Sequence, residues 1–585
     1  MIAGLGGRGA RRPGVLILGA LVILVLAGGI VWWVARPRPV APGACPGALN
    51  SAGANLLPNS AFAPGVVSGT LVAGWDISGR LQPGTPPGWI GPAAGTDLKA
   101  ARFRATPGAH YCYAVATGGS GHVQVLIRWQ TATLKNRIAD TALAPQPAGQ
   151  SLAGDAVAPP GAVYGGLWLR AIDGAPMFHA PQLTPAGVQV LPWPAGARGA
   201  LAFSFDWETA MGGLIHSKSQ HDREYAVKRG LAMRSGADIL LQLFQAHGIQ
   251  ATFYATGYNL LDGNPQRRQF AGDPTYKWAA PQGWHTTWWL SHPWYSDDPY
   301  GTLASDPAWY FGDQADKLSQ AGQEIGSHTF GHLYVRGTKP ISLSVDLDAW
   351  TAAAAARHLP PVRSFAFPWQ SSNSLDARFY QVLADHGVDS VTRLYPRDLQ
   401  DHYLISAADV YSPMLIMPDL LLGPAGPDTV ESGTTDVQGE GAAQAIIGET
   451  IARGGVVSFW NHPEQLTIPN VQDAWRATVT AAAAARDRGD LWIAPVSTIV
   501  HRWRDTGQVE VTTTASNGHL SITLINHSPD LLDGLTLALP QPAGAVRIGG
   551  VPIPPGRPAQ VVVPHLAPTT PLQIDVDLPP GAASP

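Results

Sequence analysis

Between residues 54 and 190 the apolar positions fall in short runs broken by glycine and proline. Examples are Tyr111-Cys112-Tyr113-Ala114-Val115, His122-Val123-Gln124-Val125-Leu126-Ile127-Arg128-Trp129 and Val163-Tyr164-Gly165-Gly166-Leu167-Trp168-Leu169. Short β-branched and aromatic runs between turn formers predict an all-β domain with the spacing of a sandwich. Pro192-Trp193-Pro194-Ala195-Gly196 reads as a linker, and the rhythm then changes. Strand-like stretches at 199–206, 249–255, 324–327, 364–367, 389–392, 414–417, 455–460 and 491–495 alternate with helical patterns such as 237–247 and 442–453. Strand–helix alternation predicts parallel β/α architecture. Its extent, 197–504, suits a distorted (β/α) barrel, whose active groups lie at the C-terminal ends of the strands. Residues 508–580 return to β pattern and predict a small sandwich carrying no chemistry.

The first residues change the picture. Residues 14–35 form an uncharged apolar run long enough to span a bilayer. Arg8, Arg11 and Arg12 precede it, and Trp32 and Trp33 stand where an interfacial belt would be. The expectation is a cytoplasmic stub and single-pass anchor over 1–36, with the bulk of the chain extracytoplasmic. A cleaved signal peptide is the alternative, although its apolar region is usually shorter. Residues 37–53, rich in proline, alanine and glycine, then form a tether. Outside the membrane the two cysteines, Cys45 and Cys112, are a candidate disulfide between tether and first domain.

A chain of 585 residues is too long for one core. Its net charge of -4 offers no electrostatic footprint for nucleic acid. Sequence alone names no protein partner.

Candidate chemistry sits in two places. In Ile325-Gly326-Ser327-His328-Thr329-Phe330-Gly331-His332 the histidines are four apart, so on a helix they would share a face and converge. Imidazoles bind zinc-like metals, and a catalytic site wants a third protein ligand and an open position. The stretch Leu201-Ala202-Phe203-Ser204-Phe205-Asp206-Trp207-Glu208 ends an apolar strand with two acids. One carboxylate can complete a two-histidine, one-carboxylate site while the other serves as base.

These segments, with Ala246-His247-Gly248-Ile249-Gln250-Ala251-Thr252-Phe253-Tyr254-Ala255, Phe365-Ala366-Phe367-Pro368-Trp369 and Phe459-Trp460-Asn461-His462-Pro463, occur in the order of motifs in the polysaccharide deacetylases. The chain resembles that family, the NodB-homology carbohydrate esterases, over about 200–500. The resemblance implies Asp206 as base, His328 and His332 as metal ligands, and His462 as general acid. Most members have a second aspartate where this chain has Trp207. Some space their acids one residue apart, which implies Glu208 as the third ligand, since alternate residues of a strand share a face. Ala366 stands where many members carry arginine, and Pro463 where an acidic residue is common. The resemblance further implies an oxyanion position at Pro368 and Trp369, and a divalent metal: Zn2+ first, with Co2+ or Ni2+ as alternatives. Such a metal lowers the pKa of water from 15.7 to about 7.

The implied reaction is N-deacetylation of an extracytoplasmic polysaccharide, whether peptidoglycan, an exported polymer or a chitin-like chain. A non-catalytic glycan-binding scaffold and C–N hydrolysis on a small molecule are the alternatives. Residues 258–297 are long, loop-like and aromatic, and predict a wall over the groove with Trp284, Trp288, Trp289 and Trp294 as candidates for stacking on sugars. A self-packed aromatic cluster is the other reading. Asn55-Leu56-Leu57-Pro58-Asn59-Ser60-Ala61-Phe62, followed by Gly74-Trp75, resembles the start of jelly-roll carbohydrate-binding modules, in which Trp75, Trp89 and Trp129 would be sugar platforms or core.

Overall fold

The computed structural model describes residues 55–578 apart from short stretches, the longest being 132–136, 215–221, 270–291, 395–404 and 424–436. The apolar run 14–35, the tether and Cys45 lie outside the described residues, as do Trp284, Trp288 and Trp289. Among the described residues no helix is long and apolar enough to cross a membrane.

The N-terminal unit has a nine-stranded and a four-stranded antiparallel sheet sharing one core. Strand Ser151–Val157 shows why: Leu152 and Ala156 are buried and their neighbours are not. Period-two alternation turns one face inward. Trp75 and Trp129 lie fully in that core, so neither offers a face to a sugar. Trp89 is half-buried and stacks on His179, with ring centroids 4.9 Å apart. Cys112 is buried and disulfide-bonded, and the chain's only other cysteine is Cys45.

The central unit is a parallel sheet ordered Tyr411–Ile416, Ser390–Thr392, Ser364–Ala366, Glu324–Ser327, Thr252–Ala255, Gly199–Trp207, Val456–Asn461 and Asp419–Gly423. The first and last of these are consecutive in the chain, two residues apart around Met417 and Pro418. Met417 N–H donates to the Val391 carbonyl on one side, and Ser458 N–H to the Pro418 carbonyl on the other. The sheet therefore closes into a distorted barrel through one broken strand. Leu491–Ile493, expected as an eighth stave, pairs only with Gly199, Ala200 and Leu201 at the foot of the first strand. Ile405–Ala408 adds an antiparallel edge strand.

The C-terminal unit is completed from the other end of the chain. Gln189–Leu191 pairs antiparallel with Leu532–Ala538, and Val188 lies in the same core. The expected boundary at residue 190 thus falls inside a strand. The expected linker is packed as well. Trp193 is buried, and its indole donates to the Gly454 carbonyl at 2.9 Å. Thr536 Oγ1 donates to the Trp193 carbonyl and accepts from Gly196 N–H, each at 3.0 Å. Aromatic and threonine side chains here turn a Pro/Gly signature into a three-way seam. Thr536→Val deletes both bonds and is expected to destabilise the protein by roughly 1–3 kcal/mol, measured as a lower denaturation midpoint.

Candidate active site

Gly199–Trp207 is buried along its whole length, as a strand covered on both sides is. Its odd residues face the helices: Phe205 packs on Phe244 and Trp475, and Trp207 on Phe253 and Phe311. Its even residues face the barrel interior, where Ser204 Oγ lies 2.9 Å from Ser458 Oγ. Asp206 and Glu208 share that inward face. The interposed tryptophan is a core residue, and the acids must be one apart to meet in the site.

The two histidines do not lie on a helix. They belong to a loop after strand Glu324–Ser327, with Thr329 at φ 60° and His332 at φ 51°. A β-branched residue in that region is strained by roughly 1–3 kcal/mol. What holds the loop is Asp346, on helix Pro340–Ala356, which accepts from Phe330 N–H at 2.5 Å and Gly331 N–H at 2.9 Å. Leu333 N–H also donates to Thr329 Oγ1 at 2.7 Å. The imidazoles converge with ring centroids 4.9 Å apart.

Glu208 Oε1 is the common point. It lies 3.2 Å from His332 Nε2, 3.8 Å from His328 Nε2 and 3.5 Å from His462 Nε2. His328 Nδ1 is 2.9 Å from the Ala366 carbonyl, which fixes that nitrogen as donor and leaves Nε2 as the lone-pair nitrogen aimed at Glu208. Burial lowers the His328 pKa to about 4 against the pull of Asp206, so the ring is neutral near pH 7. One carboxylate and two imidazoles, with ligand atoms all within 4.8 Å of one another, suit a zinc-like cation. Charge gives an independent check. Asp206, Glu208, Asp419 and Glu464 face two guanidiniums, Arg229 and Arg393. Four carboxylates against two cations leave two negative charges, which a divalent cation would neutralise.

Asp206, 4% exposed, sits beside this group with Arg393 Nε 3.0 Å away. Burial opposes its ionisation, but Arg393, His328 and His462 together hold its carboxyl below the ordinary value. Arg393 also donates to Asp419 at 2.8 Å and Ser204 Oγ at 3.1 Å, and lies over the Trp460 ring. An arginine one strand along thus faces the acid, although Ala366 occupies the motif position. Burial likewise opposes ionisation of Glu208, yet His332 and Arg229 hold it well below its ordinary range. Trp369, at φ 59°, places its ring 4.5 Å from His332 and donates through Nε1 to the His332 carbonyl at 3.2 Å; Pro368 beside it is buried. Trp294 is fully buried, edge-on to Tyr258, and donates to the Met211 carbonyl at 3.1 Å. It packs the core and offers no face to a sugar, contrary to the expectation from its aromatic stretch.

Residues 232–391 match the family model for polysaccharide deacetylase. The chain carries a polysaccharide deacetylase domain. The matched span of the deacetylase domain holds both loop histidines, while Asp206, Glu208 and His462 lie outside it. No curated protein matches the chain. Among solved structures, a Mycobacterium smegmatis protein described as a polysaccharide deacetylase aligns over 56% of this chain and 98% of its own, with 18% identity and TM-score 0.37. The Puue allantoinase aligns over 54% and 93% (15% identity, TM-score 0.33) and a family 4 carbohydrate esterase from Streptomyces lividans over 51% and 92% (11%, 0.25).

Sequence reading missed Arg229, Arg393, Asp346 and Glu464. Only Arg229 left a signal. In helix Arg223–His247 the buried stripe is Ala226, Arg229, Gly230, Met233, Ala237, Leu240, Leu241 and Phe244, and an arginine on an apolar stripe needs a buried partner.

Asp346→Ala leaves two buried donors without acceptors and is expected to cost about 2–5 kcal/mol in unfolding free energy. Burial raises the Asp346 pKa from 3.8 to about 7, against the Gly331 and Phe330 N–H groups that lower it. Its stabilising contribution is therefore present at low pH and lost as pH climbs from about 4 to about 7. The stability gap between the parent and Asp346→Asn should narrow across that window. A gap that stays flat or widens would mean the carboxylate is already ionised in the folded protein at pH 4.

Proposed function

We propose that this chain is a metal-dependent N-deacetylase of an extracytoplasmic polysaccharide, held at the membrane by residues 14–35. The observation that carries the reading is the meeting of Glu208, His328 and His332 with Asp206 and His462 at the C-terminal mouth of the barrel. Glu208, His328 and His332 would hold a divalent cation, which when bound supplies carbonyl polarisation and a more acidic water.

The remaining work falls to the chain's own side chains. Asp206, kept ionised by Arg393, accepts the proton of the attacking water. His462 donates to the leaving sugar amine. Acid and base steps of this kind contribute roughly 10²–10⁴ each. The turn at Pro368 and Trp369 borders the position where the oxyanion develops, beside His332. Peptidoglycan, an exported polysaccharide and a chitin-like polymer are the substrate classes to test.

A second reading, C–N hydrolysis on a small molecule, draws on the depth of the site: Asp206, Glu208, His328, His332 and His462 are all 7% exposed or less. Acetate release from N-acetylated polymers and from short oligosaccharides by the purified ectodomain separates the two. Release from polymer supports the first reading, and activity confined to small amides supports the second.

Glu208→Ala is expected to lose bound metal by elemental analysis. Asp206→Asn should retain metal while turnover falls by about 10²–10⁴. Zinc bound by Glu208→Ala as by the parent would remove Glu208 from the ligand set.

A further inference from the structure

Glu208 has a second oxygen, and the reaction just described does not use it. Oε2 accepts from Arg229 Nη1 at 2.8 Å. The same guanidinium turns its other edge to Glu464, with Nε and Nη2 at 3.0 and 2.9 Å from Oε1. Arg229 side-chain exposure is 6% and that of Glu464 is 11%, so little water competes for either contact. Glu464 lies two residues after His462, and Glu208 two after Asp206. One arginine from a surrounding helix therefore ties together two strand ends that each bring a reacting group.

The backbone is shaped for this reach. A Cβ on Gly236 would sit 1.7 Å from the Pro463 carbonyl oxygen, and one on Gly230 would sit 2.4 Å from the Ala308 carbonyl oxygen. Glycine inside a helix costs about 0.5–1 kcal/mol relative to alanine. Here two of them let helix Arg223–His247 lie directly on the loop that carries Glu464. Pro463, a departure from the motif, is the residue whose carbonyl seats the helix.

Resting on the metal-dependent reading above, we propose that Arg229 is a positioning residue for the metal carboxylate. It occupies Oε2, so that Glu208 presents Oε1 alone to His328 and His332. Glu464 cancels the charge of Arg229, which would otherwise repel a nearby cation. The triad also accounts for a glutamate at position 208: the carboxylate must reach the histidines with one oxygen and the helix with the other.

Charge and positioning predict opposite signs, which makes the proposal testable on metal alone. In Arg229→Met the carboxylate of Glu464 remains and a cation is gone, so charge alone would tighten metal binding. Positioning predicts weakening by about 10–100-fold, the usual effect of removing a group that orients a ligand. The measurement is Co2+ affinity of the full-length protein by competition with a chelating dye, with the visible spectrum of bound Co2+ recorded alongside. Arg229→Lys, which keeps one donor, should recover part of the affinity. Unchanged or tighter binding in Arg229→Met, with an unaltered spectrum, overturns the proposal.

If Arg229→Met does not fold, Arg229→Lys carries the test. It keeps the charge but loses the fork that spans Glu208 and Glu464, so positioning predicts about tenfold weaker Co2+ binding than in the parent, where charge alone predicts no change. Unchanged binding overturns the proposal. Glu208→Ala is the control for the underlying reading. If it loses Co2+ while Arg229→Met does not, the metal site stands and the positioning role fails. If the parent itself takes up no Co2+, the reading fails and the proposal falls with it.

Discussion

Burying charge at the mouth of a barrel is the constraint on which this site depends. Asp206, Glu208 and Asp419 are each less than 5% exposed, in an environment where an unpaired carboxylate is costly. Two guanidiniums answer them, each shared between two acids: Arg393 between Asp206 and Asp419, and Arg229 between Glu208 and Glu464. Shared pairing holds the carboxyls of both inward acids below their ordinary range, the state that the proposed base and metal ligand need.

The barrel makes the pairing achievable. Parallel strands end on one side, so side chains far apart in sequence meet there. The closing stave is broken at Met417 and Pro418, and the break lets Asp419 stand beside Arg393. The surrounding helices finish the site from outside. Helix Arg223–His247 delivers Arg229 past two glycines, and helix Pro340–Ala356 delivers Asp346 under the histidine loop. Asp346 offsets the left-handed conformation at Thr329 with two hydrogen bonds. The convergence of the imidazoles therefore depends on a side chain that touches neither of them.

Much of the strand pattern was readable because burial on both faces demands unbroken apolar runs. Gly199–Trp207 and Val456–Asn461 lie where such runs occur. One reading fails and one pair of alternatives is decided, each for an identifiable reason. Four-residue spacing suits a helical face, but the same spacing closes a loop when two residues adopt positive φ. For Trp75, Trp129 and Trp294 the core alternative holds over the sugar platform, and an aromatic run does not say which face of a ring is covered. The strand Gln189–Leu191 escapes because three residues carry too little periodicity, and its partners come some 350 residues later.

Sequence alone determined the alternation of strands and helices, and through resemblance it pointed to Asp206, Glu208, His328, His332 and His462 as the candidate reacting groups. Local spacing settles only that Asp206 and Glu208 share a face, since residues two apart on a strand do so whatever surrounds them. Only the tertiary structure decided which cation faces which acid, what holds the histidine loop and how the barrel closes. Those contacts join positions separated by tens to hundreds of residues, and no local pattern encodes the partner of a buried charge.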